Sequence, residues 1–485
     1  MRPRLDARSL AAVLPATILV LVLVAAAGLF VADGARVIRF PYPMDYGEGP
    51  LLDQTLRLGR LEGIYRPSPT SSPYTISNYP PVYPLVLSPL GRLLGPAYWY
   101  GRLLSWVSIA AAAVFVGLVL HALTGDRAAA VIGALSLLAL PPVSYWSSLF
   151  RVDALALGLS LGAICVIVRR PAGRLTVPVA ALLLTAAIYT RQSYGLAAPL
   201  AACLWLGHVT SWRRALALAG LTGGLGAALF LGLDRATNGG FSFNIVSANL
   251  NDYQAGSLVA YLTDVWTLMP VTLAGVGLFL VLAPWFRVPS WRLVAPYLLG
   301  AVVSGLTIGK VGSNVNYLIE LGAGVSLAIG ALLAWQRPRR AAHATIALLL
   351  ALDLALVVLA SPYRTVTHVR LKQGDEARRL LDVVHRAPGE VLADEDMGLL
   401  PLDRRPIVFQ PFEMTQLARA GRWNQRPFLD EIERQAFAAI LIYRIPDLPL
   451  HRQRWTDEML TTIDRRYVLA ERVGLTEVYR PRPGG

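Results

Sequence analysis

Two carboxylates, Asp45 and Glu48, lie three residues apart in segment 44–49, just after the first long apolar stretch of the chain. A carboxylate beside a membrane span can act as a general base, as a metal ligand or only as a solubilising charge. As a base it would take the proton from a hydroxyl group while the hydroxyl oxygen attacks a carbon atom. Gly47 and Gly49 let the backbone approach a bulky ligand closely. The alternative is an ordinary solvated turn.

A second charged pair, Arg151 and Asp153, begins the fourth predicted apolar span. Arginine and aspartate at a membrane edge often pair with each other, or extend toward the interface, without any further role. The topology derived below places Asp153 on the same face of the membrane as Asp45. A second carboxylate there could help to hold a divalent cation or to orient the reacting groups.

Two polar segments could bind phosphate. Arg191 separates two short apolar runs, and a guanidinium offers phosphate a planar fork of donors with a permanent charge. Segment 309–317 combines glycines with Asn314, Asn316 and Lys310, which is one of two lysines in the chain. Glycines, amides and a cation together favour a phosphate or pyrophosphate cradle. For each segment the alternative is a plain turn between spans.

The composition indicates where such residues would work. The chain has 485 residues, of which 55% are hydrophobic and 16% charged, whereas soluble domains carry about 25% charged residues. We therefore expect a polytopic membrane protein. The net charge of +14 comes from arginines between apolar runs, which membrane topology explains, so no nucleic-acid partner is expected. Cys165 and Cys203 lie within apolar runs and indicate neither a disulfide framework nor a zinc site.

The apolar runs define a topology. The first, at about residues 10–32, is long enough to span a bilayer and too long for most signal peptides, so it predicts a retained anchor. Together with it, about eleven apolar segments within residues 1–360 predict transmembrane helices, among them those at 154–168, 175–189 and 258–283. Arginines cluster in alternate connections on the side of the N-terminus, which the positive-inside rule makes cytoplasmic. The first loop, residues 33–98 with interfacial helices, then lies outside, as does the tail 361–485. The patterns of the tail predict a small α/β domain with short buried strands at 391–393 and 438–443.

Four motifs in this order carry a resemblance to a known family. They are the acidic pair after the first span, Tyr-Pro-Pro-x-Tyr-Pro at 79–84, Arg-x-Asp-Ala-Leu-Ala at 151–156 and Thr-Arg-Gln-Ser at 190–193. The pattern resembles the polytopic GT-C glycosyltransferases, specifically family-39-like enzymes akin to protein O-mannosyltransferases and the lipid A aminoarabinose transferase. The resemblance covers approximately residues 10–335.

The resemblance implies a catalytic transmembrane domain at 1–360 and inverting transfer of a sugar from a polyprenyl-phosphate carrier outside the bacterial cytoplasmic membrane. It makes Asp45 the base and Asp153 the second acidic residue. The family's adjacent acidic residues are here separated by Tyr46 and Gly47, so base, ligand and spacer all stay open for Glu48. Some relatives use a divalent cation such as Mg²⁺ or Mn²⁺ and others use none; Asp45 and Asp153 would be its ligands.

The leaving phosphate needs cationic contacts in a partly dry cleft, where such contacts count for more than in water. We expect Arg191 and Lys310 to supply them, with Asn314, Asn316 and Arg151 nearby. The acceptor could be a glycan, a lipid or a protein of the cell envelope, and membrane lipids surround the chain. The alternative functions are a transporter or flippase of lipid-linked sugars and a non-catalytic scaffold. Transporters often show repeat symmetry, which this sequence does not display.

Overall fold

The computed structural model describes residues 7–249, 251–448 and 450–483. Most of this part of the chain is helical. In the first 372 residues the helices are α1 Ala7–Arg39, α2 Glu48–Gly59, α3 Val82–Leu94, α4 Trp99–Thr124, α5 Arg127–Ala139, α6 Pro141–Trp146, α7 Asp153–Arg169, α8 Thr176–Ile188, α9 Ala197–Val209, α10 Trp212–Ala236, α11 Gly240–Ile245, α12 Ala255–Leu268, α13 Pro270–Leu282, α14 Trp291–Gly305, α15 Ile319–Gln336, α16 Arg340–Ala360 and α17 Pro362–Lys372.

Six helical segments of the described residues are long and apolar enough to cross a membrane. They are Leu14–Arg39, Trp99–Thr124, Trp212–Ala236, Trp291–Gly309, Val315–Gln336 and Arg340–Lys372. The predicted number of about eleven is therefore not confirmed. Several predicted spans are shorter helices, such as α8 with 13 residues and α7 with 17. A 13-residue helix rises only about 20 Å, less than the roughly 30 Å of a bilayer core.

The predicted single span at 258–283 is sharply bent in the structure, as in a broken span or a re-entrant loop. Helices α12 and α13 meet at an angle of 97° at Met269, and Pro270 begins the second helix. Proline has no N–H to donate to the preceding turn and its ring clashes with that turn, so a helix stops before it. Counted as one bent span, the pair raises the number of candidate spans to seven.

Helices α7 and α15 lie at the centre of the bundle and are buried along most of their length. Small residues let their neighbours come close, as membrane helices require. A side chain at Gly330 of α15 would collide with Leu120 of α4 and with the backbone oxygen of Ala129 in α5. These contacts hold α4, α5 and α15 together as one packed unit.

The tail forms the expected small α/β unit, and its sheet has the strand order β1-β2-β4-β3. Strands β1 and β2 are parallel, while β4 runs antiparallel to both β2 and β3. The strands predicted at 391–393 and 438–443 correspond to β1 and β2. The tail's elements are α18 Gly374–Arg386, β1 Glu390–Ala393, α19 Leu399–Leu402, α20 Pro411–Arg419, α21 Arg426–Glu433, β2 Phe437–Tyr443, α22 His451–Arg454, α23 Asp457–Arg466, β3 Tyr467–Val473 and β4 Thr476–Pro481.

A buried ion pair joins the first loop to the bundle. Arg102, in the first turn of α4, and Glu48, the first residue of α2, are both fully buried. Arg102 Nε donates to Glu48 Oε1 at 2.9 Å and Nη2 donates to Oε2 at 2.7 Å. Such a two-pronged guanidinium–carboxylate pair is the strongest side-chain geometry available to these groups.

The remaining atoms of this pair bind backbone groups from three segments. Arg102 donates to the carbonyl oxygens of Val37, in the last turn of α1, and of Phe40, the residue that follows α1. The Glu48 carboxylate accepts from the backbone N–H groups of Met44 and Phe150, each at 2.7 Å. The pair thus fixes the end of α1, the first loop and the connection before α7 relative to one another.

We predict that Glu48→Gln strongly destabilises the fold. The amide leaves Arg102 as an uncompensated buried charge, and breaking a buried pair in this way costs about 3–5 kcal/mol. Thermal unfolding of the detergent-solubilised protein measures the loss. Glu62→Gln is the matched control, because Glu62 pairs with Arg60 at the surface, where both side chains are about half exposed. Equal unfolding midpoints for the two variants would contradict the structural role of Glu48.

Candidate active site

Asp45 lies on the turn between Met44 and Glu48, close to a fixed arginine. Its Oδ2 accepts from the backbone N–H of Gly47 at 2.9 Å and lies 3.1 Å from Arg151 Nη1. A side chain at position 47 would overlap the Arg151 guanidinium, so Arg151 takes this position only because residue 47 is small. The Asp45 side chain keeps 17% of its surface exposed, whereas Glu48 has none. Of the two predicted carboxylates, only Asp45 is open to a ligand.

Arg151 connects Asp45 to the second carboxylate through an aromatic ring. The guanidinium lies over the Trp146 ring, 5.0 Å from its centroid, and donates to the Tyr79 hydroxyl at 3.2 Å. The indole N–H of Trp146 donates to Asp153 Oδ2 at 3.0 Å. Asp45 and Asp153 therefore lie at the same end of the bundle, separated by Arg151 and Trp146.

Asp153 is fully buried at the start of α7, where the helix dipole favours a negative charge. It forms an ion pair with Arg191, which is also buried, and accepts from Asn316 Nδ2 at 3.2 Å. Arg191 donates to the Asn316 carbonyl at 3.3 Å and lies over the Tyr317 ring at 4.5 Å. The structure thus brings Asp153, Arg191 and Asn316 into one buried polar cluster.

Lys310 and Asn314 occupy the loop that leads into this cluster. Lys310 is half-buried, and within the described part of the chain its ammonium group forms no ion pair. Asn314 Oδ1 accepts from the Val315 N–H and caps the short turn Val315–Leu318 that carries Asn316. Gly312 has a φ of +82°, and a side chain there would collide with Phe412 of the tail. The loop is therefore placed between the buried cluster and the tail.

The tail adds a third set of polar groups next to Asp45. The Tyr46 hydroxyl donates to Glu413 Oε2 at 2.8 Å and accepts from the Phe412 N–H at 3.1 Å. Arg454 lies over the Tyr46 ring at 4.9 Å and pairs with Glu395 at 2.5 Å. Through Tyr46, the residue after Asp45, the tail therefore contacts the first loop and closes one side of the site.

The charges around Asp45 shift the acidities of the carboxyl groups. Burial raises the pKa of Asp45, and the nearby Glu395 adds to this, while Arg151 opposes it. Burial also raises the pKa of Glu413, against the hydrogen bond from Tyr46. Burial alone would also raise the pKa of Glu395, but the positive charges of Arg454 and Arg370 hold that pKa below its ordinary value. Asp45 is therefore more basic than an ordinary aspartate, which suits a proton acceptor.

The residues present do not fit the divalent cation that the sequence left open. Among the described residues no group of three histidine, cysteine or acidic side chains could hold a metal ion. Asp45 is paired with Arg151 and Asp153 with Arg191, so each carboxylate already faces a permanent positive charge. Hard cations such as Mg²⁺ need several free oxygen ligands in one place, and these two carboxylates do not converge.

Several residues of this site were not identified from the sequence. Arg102 lies near the start of an apolar helix. An arginine within an apolar helix usually has a buried partner, so this position could have indicated one. Trp146 carried no signal beyond its position before Arg151. Glu395 and Glu413 belong to the tail, and no local sequence pattern indicates that they contact the first loop. Tyr46 and Glu413, which form a hydrogen bond, are 367 residues apart in the sequence.

The arrangement of these helices and of the tail is similar to that of ArnT and of an archaeal oligosaccharyltransferase, in agreement with the fold that the sequence motifs predicted. No protein-family model and no curated protein sequence matches the chain. The similarity is therefore visible in the arrangement of the helices and the tail, and it concerns the fold.

Two solved proteins illustrate it. The structure of ArnT from Cupriavidus metallidurans bound to undecaprenyl phosphate has a TM-score of 0.61 and 14% identity, and the match covers 95% of this chain and 98% of that one. The oligosaccharyltransferase of Archaeoglobus fulgidus in complex with zinc and sulfate has a TM-score of 0.53 and 12% identity, with 96% of this chain and 73% of that one covered.

We predict that Tyr46→Phe loosens the contact between the first loop and the tail. The variant leaves Glu413 and the Phe412 N–H without their partner, and an unsatisfied buried polar group costs about 1–3 kcal/mol. Hydrogen exchange measured by mass spectrometry should therefore become faster in α20. In the control Tyr253→Phe, the lost hydroxyl bonds the backbone of Leu306 at an exposed position, so exchange in α20 should not change. Unchanged exchange in the Tyr46 variant would show that the contact does not hold the tail.

Proposed function

We propose that this protein is an inverting glycosyltransferase that moves a sugar from a polyprenyl-phosphate-linked donor to a cell-envelope acceptor at the outer face of the bacterial cytoplasmic membrane. Residues 1–360 would form the transmembrane catalytic domain, with the loop 33–98 outside, and residues 361–485 the extracytoplasmic domain. The observation that supports this most is the partly exposed Asp45, held next to a buried cluster of Asp153, Arg191 and Asn316.

In the proposed reaction Asp45 takes the proton from the acceptor hydroxyl. The hydroxyl oxygen forms a bond to the anomeric carbon, the bond from that carbon to the phosphate oxygen breaks, and polyprenyl phosphate leaves with the electron pair. Arg191 and Lys310 stabilise the charge that develops on the phosphate, which such contacts do best in a site that excludes water. Asp153 acts as a positioning residue, because it binds the Arg191 guanidinium directly.

Glu48 takes the role of a structural residue in this proposal. Its two oxygens accept from Arg102 and from two backbone N–H groups, so it has no room for a proton donor or a metal. Arg151 tunes Asp45, and Asn314 and Asn316 shape the loop that carries Lys310. No step needs a metal ion.

The similar structures support this proposal in general terms. One was solved with undecaprenyl phosphate, and another, the A. fulgidus oligosaccharyltransferase AglB, with an inhibitory peptide and a dolichol-phosphate. Incubating the purified protein with labelled polyprenyl-phosphoryl sugars tests the function. Release of polyprenyl phosphate supports a transferase, whereas movement of intact donor across a vesicle membrane without cleavage would support the rival transporter.

We predict that Asp45→Asn abolishes transfer while the protein still folds. An asparagine of the same shape cannot accept the proton, and general base catalysis contributes about 10²–10⁴-fold to a rate. Initial rates and unfolding midpoints should both be measured. Asp375→Asn, which changes an aspartate with 86% of its side chain exposed, should retain full activity. Near-normal turnover by the Asp45 variant would remove this residue from the mechanism.

The pH profile should depend on Arg151. Asp45 must be ionised to act as a base, so activity falls as the pH drops through its pKa. Arg151 lowers that pKa; in Arg151→Met the pKa therefore rises, and the acid limb of the kcat profile should move to higher pH. A limb at the wild-type position, in a variant that still folds, would show that the titrating group is not Asp45.

Removal of either proposed phosphate contact should weaken donor binding. Lys310→Ala and Arg191→Ala each take away a charge-assisted hydrogen bond, a class worth about 1.5–3 kcal/mol, so the Kd for a polyprenyl-phosphate probe should rise roughly 10- to 150-fold. Arg191→Ala is combined with Asp153→Asn, so that the variant carries no unpaired buried carboxylate. Lys372→Ala provides the control, since Lys372 is exposed on α17. Wild-type affinity in both Lys310 and Arg191 variants would refute the cradle.

A further inference from the structure

The start of α20 in the tail contacts separate parts of the chain around the candidate site. Just before this helix, Phe409 pairs with Tyr74 of the first loop in a parallel bridge, and the Gln410 N–H donates to the Tyr74 carbonyl at 3.0 Å. Helix α20 begins at the next residue, Pro411. The bridge therefore fixes the tail relative to the first loop immediately before Phe412.

Phe412 contacts two segments that carry proposed functional residues. Its backbone N–H donates to the Tyr46 hydroxyl at 3.1 Å, and Tyr46 follows Asp45. Its ring lies against Gly312 of segment 309–317, which we call the Lys310 loop. A β-carbon at position 312 would overlap the Cζ end of this ring, and Gly312 has a φ of +82°, which residues with side chains rarely adopt. Glycine thus permits both the turn of the loop and the close approach of the ring.

The Lys310 loop is also held by the segment before α12. Two backbone hydrogen bonds join them, from Gln254 N–H to the Gly309 carbonyl at 2.8 Å and from Val311 N–H to the Asp252 carbonyl at 2.9 Å. The Tyr261 hydroxyl of α12 adds a hydrogen bond to the loop at 3.2 Å. These contacts fix the backbone on both sides of Lys310, and the Phe412 ring supplies the contact from the tail at the turn that follows.

The position of this turn bears directly on the proposed phosphate contact. A lysine carries its charge at the end of a flexible four-carbon stem, so the place of its ammonium group depends on how firmly the backbone is held. Gly312 is two residues after Lys310, and a shift of the turn would displace the lysine. A misplacement of about 1 Å can reduce a rate about 10²-fold. The Phe412 ring is therefore placed to affect donor binding from outside the buried cluster.

We propose that Phe412 is a positioning residue of the sugar transfer. Its ring sets the turn of the Lys310 loop, and its N–H binds Tyr46 next to Asp45. One residue of the tail thus fixes the distance between the proposed phosphate contact and the proposed base. The proposal rests on the proposed function and gives the tail a part in it, because Phe412 acts on the donor through Lys310.

Binding of a polyprenyl-phosphate probe to the full-length protein in detergent tests this role. Phe412→Ala removes the ring and keeps the N–H that binds Tyr46. Its Kd should rise several-fold, by less than the roughly 10- to 150-fold expected from the loss of the lysine contact itself. Phe412→Tyr adds a hydroxyl at Cζ, the ring atom nearest to Gly312, and should also weaken binding. Wild-type affinity in both Phe412 variants would overturn the proposal.

A double-mutant cycle shows whether Phe412 acts through Lys310. Residues that work through one contact have non-additive effects on the binding free energy. The double variant Lys310→Ala/Phe412→Ala should therefore bind the probe as Lys310→Ala does. If the Kd of the double variant instead rises by the product of the two single effects, Phe412 does not act through Lys310, and the proposal is wrong.

Hydrogen exchange measured by mass spectrometry tests the contact without any need for activity or ligand. Exchange in the Lys310 loop should be faster in Phe412→Ala than in the wild type. Leu460→Ala is the matched control, since Leu460 is a half-buried residue of α23 that packs on the core of the tail. This control should keep the wild-type exchange in the loop and the wild-type Kd. Equal exchange in the loop of the wild type and of Phe412→Ala would overturn the proposal.

The positioning role and the proposed function fail in different ways. A wild-type protein that neither cleaves nor transfers any donor refutes the glycosyltransferase function, yet Phe412→Ala can still loosen the Lys310 loop. A wild-type protein that transfers sugar, with a Phe412→Ala variant that transfers it at the same kcat/KM, refutes the positioning role alone. Unfolding midpoints measured for the Phe412 and Leu460 variants confirm that each protein compared is folded.

Discussion

The geometry of the site depends on the buried ion pair between Glu48 and Arg102. Burying two charges is expensive, and the cost is offset only when the geometry is good and the remaining lone pairs and protons are bound. Here both oxygens of Glu48 and the three guanidinium nitrogens of Arg102 have partners, including backbone groups of Met44 and Phe150. Asp45 follows one of these anchored residues directly. The proposed base is therefore positioned by a contact that does not involve it.

The same pairing recurs across the site with one difference. Glu48, Asp45 and Asp153 each face an arginine, so three negative charges can lie close together without strong repulsion. Only Asp45 retains exposed surface, and its arginine comes from the segment before α7 and packs on Trp146. All three residues carry a carboxylate, but only the exposed one, Asp45, can contact a ligand. The buried Glu48 and Asp153 support the structure.

The sequence was informative where a residue's role follows from its neighbours along the chain. Asp45, Asp153 and Arg191 stand at the ends of apolar runs, so their common side could be predicted. The partner of Glu48 could not, because Arg102 lies 54 residues away within an apolar helix. The predicted number of spans is not confirmed, because hydropathy detects apolar helices, including α8 with its 13 residues, and not their length. Strand β3 has five exposed residues between two buried ends, so it lacked an alternating pattern.

The position of α6 bears on the stereochemistry of the proposed reaction. Inversion requires that the incoming oxygen and the leaving phosphate lie on opposite faces of the anomeric carbon. Helix α6 packs against the turn that carries Asn316, and its Trp146 lies between Arg151 and Asp153. The proposed phosphate contacts are therefore on one side of Trp146, and Asp45 is on the other. An acceptor hydroxyl that gives its proton to Asp45 would approach the anomeric carbon from the side away from Arg191, which favours in-line displacement.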